Sequence, residues 1–327
     1  MLNILKNLIS SSGVSGREKS VSDKILTYIA PLCDKVWEDP MGNLIAYKRG
    51  GGIDRKKIML CSNMDETGFM VTSVNENGNI KVAPVGEINY VSSAYGFVVS
   101  ENGVRGVIVP ENTAASTELK AGNVYIDIGV KDKKEAQKKV SVGDFFVCEP
   151  TVNKVGRKIC GRPMDNRVGC AILISLAEKI SESGCPNDIY FVFTTQEQVG
   201  MRGAKAAAYA IEPDCGLVID VTCASEGAGV CVSGEGAAIK IKDRSVVCDR
   251  SVFERLMTLA KDNSVKYQCE ISFKGSTDAS ALMISKAGVK AGAVSVPAKY
   301  MHSNVEMIDM NDCDACLNLA ELFVMNY

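Results

Sequence analysis

The stretch Ile189-Tyr-Phe-Val-Phe-Thr-Thr-Gln-Glu-Gln-Val-Gly-Met-Arg-Gly-Ala204 decides how this chain is read. Its first seven residues, 189–195, are almost all β-branched or aromatic with no polar alternation, the pattern of a strand covered on both faces. Gly200 and Gly203 then permit a tight turn before a helix that starts near Ala204. Glu197 is thereby delivered to the C-terminal end of a buried strand, where open α/β sheets keep their ligands.

The same alternation continues on both sides. Downstream, the pattern predicts strands over 215–220, 237–241, 267–272 and 292–296 and helices over 204–210, 252–261, 279–286 and 311–324. Upstream, it predicts helices over 2–9, 18–29 and 168–180 and strands over 35–37, 44–47 and 57–61. This order implies an α/β fold, a mostly parallel sheet flanked by helices. Between residues 69 and 158 the texture changes to short strands with close turns, which predicts an inserted small β-barrel or sandwich. The expected division is therefore an α/β domain of residues 1–68 and 159–327 and a β-rich insert of residues 69–158. Residues 131–139 read as a short charged helix with a solvated face.

Composition narrows the function. Of 327 residues, 46% are hydrophobic and 23% charged, enough apolar sequence for a full core. Lys and Arg number 37 against 39 Asp and Glu, a balance with no footprint for nucleic acid or an anionic membrane. The first nine residues have helical apolar spacing but no basic leader or cleavage pattern. Thirteen cysteines, an odd number scattered among apolar positions, point to reduced thiols and a cytoplasmic protein. Cys313 and Cys316 are a close pair, but no second pair accompanies them, so a buried helical position is the expected reading.

Chemistry-bearing residues gather at comparable places. Asp65 lies just past one predicted strand, Glu197 past a second and Asp220 at the end of a third; Asp165 opens a helix and His302, the single histidine, follows another strand. A lone Asp at such a place is ordinarily a cap or turn residue. Four carboxylates and the only His on one sheet edge point instead to a metal site. Ser276-Thr-Asp278 reads as a helix-capping arrangement, Arg167 as a local partner of a carboxylate and Arg202 as a brace of the glycine-rich turn.

The motifs Ser12-Gly-Val-Ser-Gly16, Met64-Asp-Glu-Thr-Gly-Phe69, Met164-Asp-Asn-Arg167, Gln196-Glu-Gln-Val-Gly-Met-Arg-Gly-Ala204, Ser276-Thr-Asp278 and Tyr300-Met-His-Ser303 run nearly end to end. Together they resemble the glutamyl and deblocking aminopeptidases, a family with tetrahedral assemblies in which some members carry the label cellulase M. The resemblance implies a zinc-peptidase-like α/β domain with two co-catalytic divalent ions, Zn or Co, interrupted by a β-rich dimerisation domain. It implies a peptide substrate and a dimer-based homo-oligomer, up to a dodecamer. By position, Asp165 would bridge the ions, Asp220 would hold the first and His302 the second. Glu197 would be the general base and Asp65 would orient the ligand two residues before it. Paired ions that acidify water need such a neighbouring carboxylate.

Two positions depart from the family's pattern: Asn63 stands in place of His, and Gln198 in place of Glu. Each implied ion loses a ligand of its own. An amide oxygen suits Mg²⁺ or Mn²⁺ better than Zn²⁺, so a different metal, one ion or none are the expectations. Two functions follow: a metallo-aminopeptidase with altered metal preference, or a catalytically inactive relative acting as a structural or regulatory subunit, alone or mixed with paralogues. Glycoside hydrolysis, raised by the cellulase label, is disfavoured by a single Trp and 6% aromatic residues, which leave little to stack sugars on.

Overall fold

The computed structural model describes residues 1–111, 119–225 and 231–327. Helices α1 (Leu2–Ile9) and α2 (Lys19–Ile29) precede strands β1 (Lys35–Glu38), β2 (Leu44–Lys48) and β3 (Lys57–Asn63). The chain then runs through β4 (Gly68–Val74), β5 (Ile80–Val85), α3 (Tyr90–Ser93), β6 (Phe97–Ser100), β7 (Arg105–Pro110), β8 (Val124–Asp127), α4 (Lys133–Ala136) and β9 (Phe145–Cys148). It continues as β10 (Thr151–Val155), β11 (Lys158–Arg162), α5 (Arg167–Ser183), β12 (Asp188–Thr194), α6 (Arg202–Ile211), β13 (Cys215–Cys223) and β14 (Ala237–Lys242). The last elements are α7 (Arg250–Asp262), β15 (Tyr267–Ile271), α8 (Asp278–Met283), β16 (Lys290–Lys299), β17 (Glu306–Ile308) and α9 (Met310–Asn326).

Eleven strands form one sheet whose main path is β1-β2-β12-β3-β13-β16-β17-β11-β10, with β14 and β15 attached to β16. The sheet is mixed. Its centre, β12-β3-β13-β16, is parallel, and the strands outside it on the main path pair antiparallel. Strands β4-β5-β8-β7-β6-β9 close into a separate barrel.

The buried run of β12 explains the centre. Ile189, Phe191 and Phe193 pack on the face covered by α1, α2, α5, α7 and α9, while Val192 packs with Ala204, Ala207, Ala208 and Leu282 of α6 and α8. Alternate residues thus enter two different apolar layers, so no polar position interrupts the run. Helix α5 approaches the sheet closely at Gly169, where a Cβ would lie 2.4 Å from Ser62 Oγ and 2.7 Å from Ile219 O. Only glycine admits that contact.

Two expectations change. The charged helix expected over 131–139 is the single turn Lys133–Ala136. Asp220 is not at a strand end, because β13 continues to Cys223. Within Ser276-Thr-Asp278 the N-cap of α8 is Thr277, as the capping reading allows, but it makes no side-chain cap hydrogen bond. Cys313 and Cys316 are buried in α9, where their thiols donate to Asp309 O and Ser295 O. Among the described residues, no helix is long and apolar enough to cross a membrane.

Candidate active site

Parallel pairing places Asn63 beside Thr194 at the ends of β3 and β12, and aligns Asp220 of β13 with Ser295 of β16. The turns that follow carry the remaining groups. Asp65, with 0% of its surface exposed, accepts a hydrogen bond from Ser15 Oγ at 2.6 Å. Its Oδ1 also accepts from Glu197 N at 3.1 Å, and its Oδ2 from Gln198 N at 3.0 Å. Glu18 Oε1 accepts from Gln196 N at 3.0 Å and Gly16 N at 2.7 Å. Three successive main-chain N–H groups are therefore held by two buried carboxylates anchored in the Ser15–Glu18 segment. That grip fixes a turn in which Gln196 adopts φ 55°, a left-handed conformation that costs a non-glycine residue about 1–3 kcal/mol.

Glu197 is buried and its Oε2 accepts from Gln198 Nε2 at 2.9 Å. The same amide nitrogen lies 3.4 Å from Asp165 Oδ2, and His302 Nε2 lies 3.2 Å from that oxygen. Asn63 is engaged at both ends: its Oδ1 accepts from Asn166 Nδ2 at 3.0 Å, and its Nδ2 donates to Asp65 O at 3.2 Å and Asp65 Oδ1 at 3.3 Å. Asp220 Oδ1 accepts from Val221 N at 2.8 Å. The structure thus brings Asp65, Asn63, Glu197, Gln198, Asp165 and His302 into one hydrogen-bonded set, with the charge of Asp220 close enough to act on Glu197. Arg167 does pair with a carboxylate, but with buried Glu66 at 3.1 Å, 101 residues away, rather than with a local one; Arg202 braces its turn through Val199 O at 3.2 Å, as the sequence led us to expect.

Crowded, buried carboxylates resist ionisation. Burial, then the charges of Asp278, Asp220, Asp65 and Asp165, raise Glu197 well above the ordinary carboxylate range. Asp220 is pushed up to about 7 by burial and then by the charge of Asp165. Asp278 is pushed up to about 8, mainly by burial; its Oδ2 accepts from Thr194 Oγ1 at 2.6 Å and its Oδ1 has no hydrogen-bond partner among the described residues. Burial alone would lower His302, but the hydrogen bond and charge of Asp165 outweigh it and raise the imidazole.

The donors do not fit the two-ion centre that the resemblance implies. Among the described residues, no three His, Cys, Asp or Glu side chains form a group able to hold a metal ion. At the two substituted positions the amides are already committed, Asn63 to Asn166 and Asp65, and Gln198 to Glu197 and Asp165. An amide N–H aimed at two carboxylates takes the direction in which a cation would otherwise attract them.

Three further residues belong to this constellation; Asp278 lies in the Ser276-Thr-Asp278 motif read as a helix cap, whereas no motif marks Glu18 or Glu306. Glu18 holds the Glu197 turn, Asp278 adds charge beside Glu197, and Glu306 accepts from the N–H groups of Met164, Asp165 and His302. Glu306 follows His302 by four residues in a polar turn, the one hint the sequence offered. A cleft of about 940 Å³ lies nearby, lined by residues including Ser12, Arg17, Glu18, Phe145 and Gln196 but by none of Asp165, Gln198, Asp220 or His302.

Comparison with known proteins bears on the family and the fold. The chain is 28% identical to the lysyl aminopeptidase of Pyrococcus furiosus, over 97% of this chain and 95% of that protein. The solved structure of aminopeptidase APDkam598 from the archaeon Desulfurococcus kamchatkensis superposes with a TM-score of 0.93 and 34% identity, covering 99% of this chain and 94% of that one. The Pyrococcus horikoshii TET1 peptidase, described as assembling into a tetrahedron or a large octahedral shell, gives 0.88 and 29%, covering 100% and 99%. The profile of the M42 glutamyl aminopeptidases matches residues 42–319, and the chain therefore belongs to that family of metallopeptidases.

Proposed function

We propose that this chain is an aminopeptidase-type hydrolase acting on peptide N-termini, with Glu197 as the carboxylate that takes the proton from attacking water. The observation that carries this reading is the placement of Glu197. It is buried beside the Asp165–His302 pair, its main chain is gripped by Asp65, and burial and neighbouring charge raise its proton affinity, the direction that suits a proton acceptor. We further propose that metal demand is weakened or altered relative to the family's pattern, because Asn63 and Gln198 supply amides where charged or imidazole ligands are implied. Mn²⁺ or Mg²⁺ is then favoured over Zn²⁺.

A second reading is favoured by the Gln198 amide that spans Glu197 and Asp165. In it the chain keeps the fold and serves as a structural or regulatory subunit. Under either reading the barrel of β4 to β9, which spans residues 68–148 and does not reach 158 because β10 joins the main sheet, is assigned to dimer contacts within a homo-oligomer, by likeness to the assembling TET1 peptidase.

The test is hydrolysis of aminoacyl chromogenic substrates with Mn²⁺, Co²⁺, Mg²⁺ or Zn²⁺ added, with bound metal counted in parallel. Turnover that drops about 10²–10⁴-fold in Glu197→Gln supports the first reading. No turnover with any of the four ions sinks it and leaves the second.

A further inference from the structure

Asp165 and His302 face each other from different turns, 3.2 Å apart, and a single carboxylate joins the backbones of those turns. Glu306 Oε2 accepts from Met164 N at 2.7 Å and Asp165 N at 3.1 Å, while its Oε1 accepts from His302 N at 2.9 Å. These three N–H groups make no backbone hydrogen bond among the described residues. Glu306 is 2% exposed, and the Arg162 guanidinium, which donates to Ser303 O and Thr67 Oγ1, supplies the positive charge beside it. His302 itself sits at φ 59°, a conformation that a non-glycine residue keeps only when its surroundings hold it.

We propose that Glu306 is a positioning residue: by accepting from both turns it sets the separation and orientation of the Asp165 carboxylate and the His302 imidazole. The inference rests on reading Asp165 and His302 as site residues. Charge-assisted hydrogen bonds to backbone N–H groups are the stronger kind, and a carboxylate has two oxygens, one for each turn. A glutamine has one acceptor oxygen and an NH₂ that would meet N–H donors head-on, so Glu306→Gln must release one turn.

The chain contains one histidine, so its imidazole NMR signal belongs to His302 without assignment. The experiment compares that signal at fixed pH in the wild type, in Glu306→Gln and in Leu256→Ala, a core truncation in α7, which packs mainly on α9, β14 and β16. Glu306→Gln is expected to move the signal toward that of free histidine, whereas Leu256→Ala lowers Tm and leaves it in place. A folded Glu306→Gln protein with an unmoved imidazole overturns the proposal. Should that variant not fold, amide hydrogen exchange in the wild type decides. Met164, Asp165 and His302 are expected to be protected like strand amides, and exchange at the rate of an open turn overturns the clamp. Absence of peptide turnover would sink the functional reading without moving either readout, so the two failures stay distinguishable.

Discussion

Gln198 does to Asp165 and Glu197 what a bound cation would do, drawing two carboxylate oxygens toward one point. Restoring the family's charges should reverse that. The double variant Asn63→His with Gln198→Glu is expected to bind Zn²⁺ and to gain about 2.7 kcal/mol of stability at ion concentrations 100-fold above Kd. Urea midpoints with and without Zn²⁺ measure this; no ion-dependent shift would mean that Asn63 and Gln198 are not the substituted ligand positions. A second expectation concerns pH. Asp220 and Asp278 are raised from their ordinary 3.8 to about 7 and about 8, so the folded chain retains protons that the unfolded chain releases. His302, raised from its ordinary 6.5, acts in the same direction. The stability from the acids is full below about pH 4, and that from His302 below about 6.5. Both are lost as pH climbs through the folded values. Urea midpoints of chelator-treated protein should fall between pH 5 and pH 8, and Asp278→Asn should flatten the slope; a midpoint that rises over that range contradicts the electrostatics. Asp65, Asp165, Glu197 and His302 were legible because they stand where predicted strands end or helices begin. Glu18 and Glu306 were not, because they act on partners such as Gln196 and Asp165 that lie far away in sequence, and no spacing rule connects them; Asp278 stood in a motif read as a helix cap, and its charge beside Glu197 emerges only with the fold.

At the scale of elements, the centre of the sheet was readable and its periphery was not. Strands β3, β12, β13 and β16 are apolar runs buried on both faces, a signal that survives without neighbours. Strand β10 is largely exposed, and β17 has three residues, so neither carries a periodic apolar pattern. The continuation of β13 past Asp220 was missed because the carboxylate at 220 reads as a strand end, although the β-branched Val221 and Thr222 that follow are buried and suit a strand. The tight seat of α5 yields a direct test. Gly169→Ala should destabilise the fold by about 1–3 kcal/mol, since the added methyl meets Ser62 Oγ and the Ile219 carbonyl rather than a cavity. Chemical denaturation measures it, and an unchanged midpoint would mean that the α5 N-terminus sits farther from the sheet.

Across the whole molecule the thirteen cysteines are all free. Nine are buried, Cys33 and Cys160 are half-buried, and Cys223 and Cys269 are exposed. A thiol reagent added to native protein should therefore label Cys223 and Cys269 first, and fast labelling of Cys313 or Cys316 would contradict their burial in α9. The barrel presents Tyr95 and Phe97 to solvent, 72% and 63% exposed, which is compatible with its assignment to subunit contacts. Light scattering of the purified chain is expected to give a mass that is an even multiple of the monomer's; a monomer at micromolar concentration would remove the assembly reading.

The grip of Glu18 and Asp65 on the backbone of residues 196–198 has a consequence for how this protein can vary. Because the turn is fastened through its amide groups, the backbone hydrogen bonds that hold it do not depend on which side chains stand at 197 and 198. A lineage can drift from carboxylate to amide at 198 while the scaffold stays intact, and can drift back by a single codon change.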